Sequence, residues 1–322
     1  MKLRRYAPED APHWNQYVQN SKNGTFLFER TYMDYHADRF LDHSLIASSD
    51  SGIWIAVLPA TKQKNVLSTH AGLTYGGWVT DADMTCPDMM ALFEHMLAYL
   101  SLHGFASVDY KCVPYIYHRL PAQEDLYALF RHNAVVVRRD TLSVLDLRST
   151  PNTQVRRMRG AKKAAKCLIE IRLEQNSAQH LAVFWSCLES NLQHQFERKP
   201  THSLLEIQRL QALHPDQIRL HAAYVGDELY AGVVTYLSEP VCHIQYISAT
   251  PSGKQSGALD LLFFELIKYY QAQKKFWYLD FGISNEQDGR YLNHGLIEQK
   301  EGFGARTVAH DFYRITLPQK NT

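Results

Sequence analysis

The chain has 322 residues, 45% of them hydrophobic and 21% charged, with a net charge of +1 and a pI near 7.7. This is globular composition, long enough for two domains of average size. It supplies no global field that would favour nucleic acid or an anionic membrane.

No run approaches the roughly 20 apolar residues of a bilayer span; the longest, residues 261–267, is broken by Glu265. The opening MKLRRYAPED carries charge without the apolar stretch of a signal peptide. Cys86, Cys112, Cys167, Cys187 and Cys242 are scattered and form no CxxC pair, which argues against a disulfide scaffold or a zinc site. The 16 histidines show no HExxH-type spacing, so no metal is expected. A cytoplasmic protein without membrane insertion is expected; nothing in the sequence sets an oligomeric state.

In chain order, a helical period covers residues 11–20, followed by a strand near 44–48, a Ser-Asp-Ser-Gly turn and a strand over 53–58. A Gly-rich strand region at 72–79 leads to a helix over 87–103 and a strand over 105–110. Turn formers cluster at 146–153, and Thr153 is a candidate N-cap for the helix beyond. A helix over 179–193 follows, then strands over 218–225, 229–236 and 241–249, a helix over 257–273 and a strand over 276–281. The same order of elements thus occurs twice. Trp14 and Trp185, Phe93 and Phe264, Tyr99 and Tyr270, Phe105 and Phe276, and Asp109 and Asp280 all differ by 171 (280 − 109). An α/β (α+β) chain built as two related domains, 1–150 and 151–322, is predicted.

Four segments could carry chemistry. In the first, an apolar strand runs through Thr250 and Pro251 into Gly253-Lys254-Gln255-Ser256-Gly257 and a long helix whose polar residues form one narrow stripe. Free amides and the positive helix end could seat a pyrophosphate there, with Lys254 adding charge; the alternative is a plain solvent turn. In the second, Asp280 ends a strand, where open α/β sheets place ligands, and Asn293 and the 298–301 charges follow. Gly302-Phe303-Gly304 ends that helix, a glycine providing the left-handed position. Gln299 and Lys300 read as residues of a solvated face.

The third is RRMRGAKKAAK at 156–166, where Met158, Ala161 and Ala165 make a thin apolar stripe among cations. It reads either as a solvated face or as an anion-binding helix suited to nucleotide phosphates or an RNA backbone. The fourth, residues 68–77, holds His70 and Tyr75 among glycines, and Asp109 and Lys111 follow at a strand end. These four residues either line an acceptor pocket or serve bulges and turns.

Together the second-half strand, loop, buried helix, strand and final Gly-Phe resemble a GNAT acyltransferase. Two such halves joined by a basic helix resemble the Fem family, which adds amino acids to peptidoglycan precursors. The chain is more similar still to FemAB-like proteins of surface-polysaccharide clusters. It carries their Phe28-Glu29-Arg30, Arg39-Phe40-Leu41-Asp42, Lys199-Pro200-Thr201-His202, His243-Ile244-Gln245-Tyr246, Asp280-Phe281-Gly282-Ile283-Ser284 and Leu292-Asn293-x-Gly295-Leu296-Ile297.

The resemblance implies two tandem GNAT-like domains, each a mixed, mostly antiparallel sheet flanked by helices. It implies transfer of an acyl group from acyl-CoA to an amine, with an amino sugar, nucleotide-linked or not, bound in an inter-domain cleft. The pantetheine arm would follow the 241–249 strand, with phosphates at Gly253–Gly257 and no covalent enzyme intermediate. Asp280 or His243 would accept the amine proton, while Tyr246 and Asn293 position substrate. His202, Arg156 and Glu286 would help to hold the acceptor. Two features depart from the GNAT pattern: the phosphate motif reads Lys254-Gln255-Ser256-Gly257-Ala258-Leu259, and Glu298 stands where a tyrosine acid is usual. Fem-like transfer from aminoacyl-tRNA and a non-catalytic glycan- or partner-binding module are the competing readings.

Overall fold

A computed structural model describes residues 1–318. The chain divides into two compact units: residues 1–140, 287–291 and 309–322 form the first, and 141–286 and 292–308 the second. Residues 287–291 and 309–318, predicted with the second half, lie in the first unit, and 141–150, predicted with the first half, lie in the second.

In the first unit, strands Lys2–Arg5, Leu45–Ser48, Trp54–Leu58 and Val79–Thr80 form a four-stranded sheet with antiparallel neighbours. Strands Thr61–Gln63, Val66–Ser68 and Ser107–Lys111 pair in that order, and residues 312–316 close the group antiparallel to Ser107–Lys111. The helix Cys86–Leu102 starts at Thr85, whose hydroxyl accepts the Asp88 amide, and buries Leu92, Phe93, Met96 and Leu100 in the core of this unit. Residues 72–79, read from sequence as a strand region, are mostly turn; only Val79–Thr80 is extended. The glycines there serve close approach: a Cβ on Gly76 would stand 2.0 Å from the Thr69 carbonyl oxygen.

In the second unit, residues 141–146 pair with Tyr278–Ile283, followed by Val241–Ala249, Glu228–Ser238, Ile218–Val225 and Glu170–Arg172. All neighbours are antiparallel except Val241–Ala249 with Tyr278–Ile283. The helix Ala258–Gln273 lays Leu262, Phe263, Leu266, Ile267 and Tyr270 into the core. The helix Val155–Lys166 packs on it through Ala161 and Ala164; Ala165, placed on that stripe from sequence, is exposed. The cap of this basic helix is Gln154, not Thr153.

The twofold order of elements holds from the long helix of each half onward. The helices Cys86–Leu102 and Glu124–Arg131 and the strands Ser107–Lys111 and Val135–Asp146 have counterparts at an offset of 171. These are Ala258–Gln273, His294–Glu301, Tyr278–Ile283 and Arg306–Thr316.

The predicted loop at 250–257 is instead a short helix, Pro251–Ser256, capped by Thr250 and ended by Gly257 at φ +84°. Gly253 is buried against the neighbouring strand, where a Cβ would stand 1.8 Å from the Tyr230 carbonyl oxygen. Gly253→Ala should therefore destabilise the protein by about 1–3 kcal/mol, the usual cost of overpacking a core. A lower thermal midpoint at unchanged far-UV circular dichroism would register it.

Candidate active site

The parallel strands Val241–Ala249 and Tyr278–Ile283 pair at only three registers: Val241 with Tyr278, Cys242 with Leu279, and His243 with Asp280. Beyond His243 the edge of the first strand has no ladder partner on that side, so the two strands part. A cavity of about 400 Å³ lies along the parted segments, lined by Ile247, Ser248, Ala249, Phe281, Phe303 and Lys300 among others. Leu188, Leu192, Leu259, Phe263 and Leu296 make much of its wall apolar.

At the last paired register the side chains of the two strands meet. His243 Nδ1 lies 2.9 Å from Asp280 Oδ2. A carboxylate only accepts, so Nδ1 carries the hydrogen, and in the neutral imidazole Nε2 is then the acceptor nitrogen. Asp280 is 1% exposed at its side chain and His243 15%. The other carboxylate oxygen, Oδ1, accepts the Gly282 amide at 2.8 Å. Gly282 has φ +72°, and a Cβ there would sit 3.4 Å from His243 Cε1, so the imidazole rests over that turn. An imidazole oriented by a buried carboxylate is the arrangement a general base requires.

Lys300 completes the group. Its ammonium donates to the carbonyls of Gly282 at 3.0 Å and Ile283 at 2.6 Å. It is buried, which corrects the solvated face expected from sequence. Burial pushes its pKa down to about 8, with the Asp280 charge opposing the shift.

Asn191 ties the far wall together. Its amide nitrogen donates to Ser248 Oγ at 2.7 Å and the Ala249 carbonyl at 2.8 Å, and its carbonyl oxygen accepts Lys254 Nζ at 2.9 Å. Sequence reading passed over Asn191, although its spacing from Leu188 and Leu192 sets a polar residue on an apolar helix face.

The other predicted positions are placed as follows. Lys254 reaches the cavity, whereas Gly253 and Ser256 are buried in packing and Gln255 is exposed. Gly257 lies under the basic helix, with a Cβ position 2.6 Å from the Gly160 carbonyl oxygen. Tyr246 hydrogen-bonds His202 and meets Trp185 edge-on at 4.8 Å, a grouping separate from the cavity lining. Asn293 caps the helix His294–Glu301 through the Leu296 amide and donates to Glu286 at 3.0 Å. The left-handed glycine after that helix is Gly304 (φ +98°), not Gly302. Arg156 pairs with Glu298 at 2.9 Å.

In the first unit, Lys111 donates to the carbonyls of His70, Ala71 and Leu73 and is pushed down to about 8 by burial. Tyr75 donates to Thr25 at 3.2 Å, and Asp109 takes both arms of Arg314 at 2.6 and 2.8 Å. The Lys111 contacts bind loop to strand, and the Asp109–Arg314 pair joins two neighbouring strands.

Among the described residues no helix is long and apolar enough to cross a membrane. Residues 152–291 match the model of the acetyltransferase (GNAT) domain. No curated protein matches the chain. Among solved structures, FemX superposes with a TM-score of 0.71 at 10% identity, covering 98% of each chain. L-PGS from Bacillus licheniformis gives 0.60 at 12% identity, over 99% of this chain and 93% of that one. A tandem GNAT protein from the clavulanic acid biosynthesis pathway gives 0.55 at 12% identity, over 99% of each. At such identities the likeness is one of fold.

A lysine with a depressed pKa binds fewer protons folded than unfolded between its two pKa values, so stability rises with pH across that window. The stability of the wild type relative to Lys300→Met should therefore increase from about pH 8 towards pH 10.5. Thermal melts of both proteins across that range check it, and a constant difference would count against a buried ammonium at this position. The chain has a FemAB-like tandem GNAT fold, with a GNAT domain at residues 152–291.

Proposed function

We propose that the protein is an N-acyltransferase that moves an acyl group from acyl-CoA to the amine of an amino sugar, free or nucleotide-linked, in cell-surface polysaccharide synthesis in the cytoplasm. The observation that carries this reading is the parted strand pair with His243 and Asp280 at its apex and a cavity beyond. A pantetheine arm is a linear chain of amides and methylenes. It fits an unpaired strand edge, which offers amide partners, beside an apolar wall such as Phe263, Phe281 and Phe303. Lys254 at the rim supplies charge for phosphates.

In this scheme His243 Nε2 takes a proton either from the acceptor ammonium, freeing the amine to attack the thioester carbonyl, or from the tetrahedral adduct once the neutral amine has added. Asp280 holds the imidazole tautomer and balances the imidazolium that forms. The carbon–nitrogen bond forms first, the carbon–sulfur bond breaks as the adduct collapses, and the leaving thiolate takes the proton back from the His243 imidazolium. Lys300, tied to the Gly282 and Ile283 carbonyls, fixes the turn on which the imidazole rests. Tyr246, Asn293, His202 and Glu286 remain proposed positioning residues. Arg156, His70, Tyr75, Asp109 and Lys111 remain proposed acceptor contacts.

A second reading, aminoacyl transfer from charged tRNA, has one observation in its favour. Arg159, Lys162 and Lys166 are exposed on the basic helix, and no ion pair or hydrogen bond engages them among the described residues.

The test is release of free thiol from acetyl-CoA over a panel of amino sugars. Turnover should occur with at least one acceptor. His243→Ala should lower kcat by about 10²–10⁴-fold, the usual share of a general base, with acetyl-CoA affinity retained. No turnover with any amine, together with salt-sensitive binding of aminoacyl-tRNA, would replace this reading with the second.

A further inference from the structure

We propose that the first unit holds a ligand site of its own: the cavity beside Asp125 takes a small molecule by its primary ammonium group. This goes beyond the acyl transfer proposed for the second unit.

The cavity measures about 210 Å³, and Cys112, Gln123, Asp125, His310 and Asp311 are among its lining residues. Its place in the repeat is the first argument. The helix Glu124–Arg131 is the counterpart of His294–Glu301, and Asp125 corresponds to Leu296 (296 − 125 = 171), which lines the cavity of the second unit. Both copies of the fold thus open a hollow against the same helix. The chemistry is inverted between them, because Asp125 stands for Leu296 and Leu129 for Lys300.

Charge is the second argument. No lysine or arginine lines the hollow. Asp311 is satisfied by both arms of Arg139, at 2.5 and 2.8 Å. Glu124, next to Asp125, is paired with Lys22 at 2.6 Å. Asp125, only 8% exposed, has a neutral side-chain partner: the Tyr110 hydroxyl donates to Oδ2 at 3.0 Å. Burial first, then the charges of Asp125 and Asp311, push the Cys112 thiol up, and all three residues line the hollow. Burial holds the Asp125 carboxyl up at about 6, opposed by the Tyr110 hydroxyl and the Leu126 amide, and among the described residues no lysine or arginine is paired with it. A buried carboxylate without a counter-charge is costly. An ammonium offers three donors and the missing charge in a volume this small.

Asp125 also anchors Tyr110, whose oxygen accepts the Trp78 amide at 2.9 Å. Asparagine can accept the same Tyr110 bond, so Asp125→Asn removes the charge and keeps that structural contact.

The full chain would be titrated calorimetrically with ethanolamine, putrescine and glucosamine, and with the neutral ethylene glycol and 1,4-butanediol. Saturable binding of at least one amine, none of the diols, and at least a tenfold loss in Asp125→Asn are expected. Leu296→Trp, which fills the cavity of the second unit from its helix wall, should bind the amine as the wild type does, which separates this site from that cavity. Should Asp125→Asn fail to fold, Ala309→Phe fills the hollow from its rim and should abolish binding. The proposal is overturned if no amine binds saturably, if diols bind equally, or if binding survives in a folded Asp125→Asn or Ala309→Phe.

Discussion

The second unit turns on a parallel strand pair that stops after three registers. Every other neighbour of these strands is antiparallel and paired over a longer run. Where pairing ends, the backbone of residues 244–249 keeps its partner on one side only, and the other side opens on the cavity. Unsatisfied strand edges are usually blunted or covered. Here the edge is flanked by Phe281, Phe303 and the carbonyl-bound Lys300, and Asn191 holds the Ala249 carbonyl. The apex of this opening is also where the His243 imidazole meets the buried Asp280 carboxylate, so backbone geometry and proton chemistry arise at the same place.

Much of this was legible from the residues. The strand over 241–249 matched in full, and the helix over 257–273 and the repeat at an offset of 171 were found to within a residue or two. His243 and Asp280 could be named because a polar residue inside an apolar strand must be paired or used. Their pairing with each other depends on the register of a parallel crossover, which periodicity does not contain.

Other features were illegible for definite reasons. The 250–257 segment looked like a loop because it holds glycine, proline and serine, yet Thr250 caps a short helix there and Gly253 is a packing glycine. Lys300 looked solvated because a lysine near a helix end usually is, and its burial follows from two carbonyls presented by the 282–283 turn. The glycines at 76 and 77 let the backbone pass close to Thr69 and Tyr110, a close approach that glycines suggest without naming the partner. Side chains that hydrogen-bond main chain at long sequence distance leave no periodic trace.

A donor lying against the open edge of strand 241–249 is the idea on which the enzymatic account stands. Calorimetric titration of acetyl-CoA into the wild type and into Leu296→Trp, which fills the cavity from its helix wall, tests it most directly. The account predicts one site per chain in the wild type and loss of binding in a variant that melts as the wild type does. Equal affinity in the two folded proteins, or no affinity in the wild type, would contradict it.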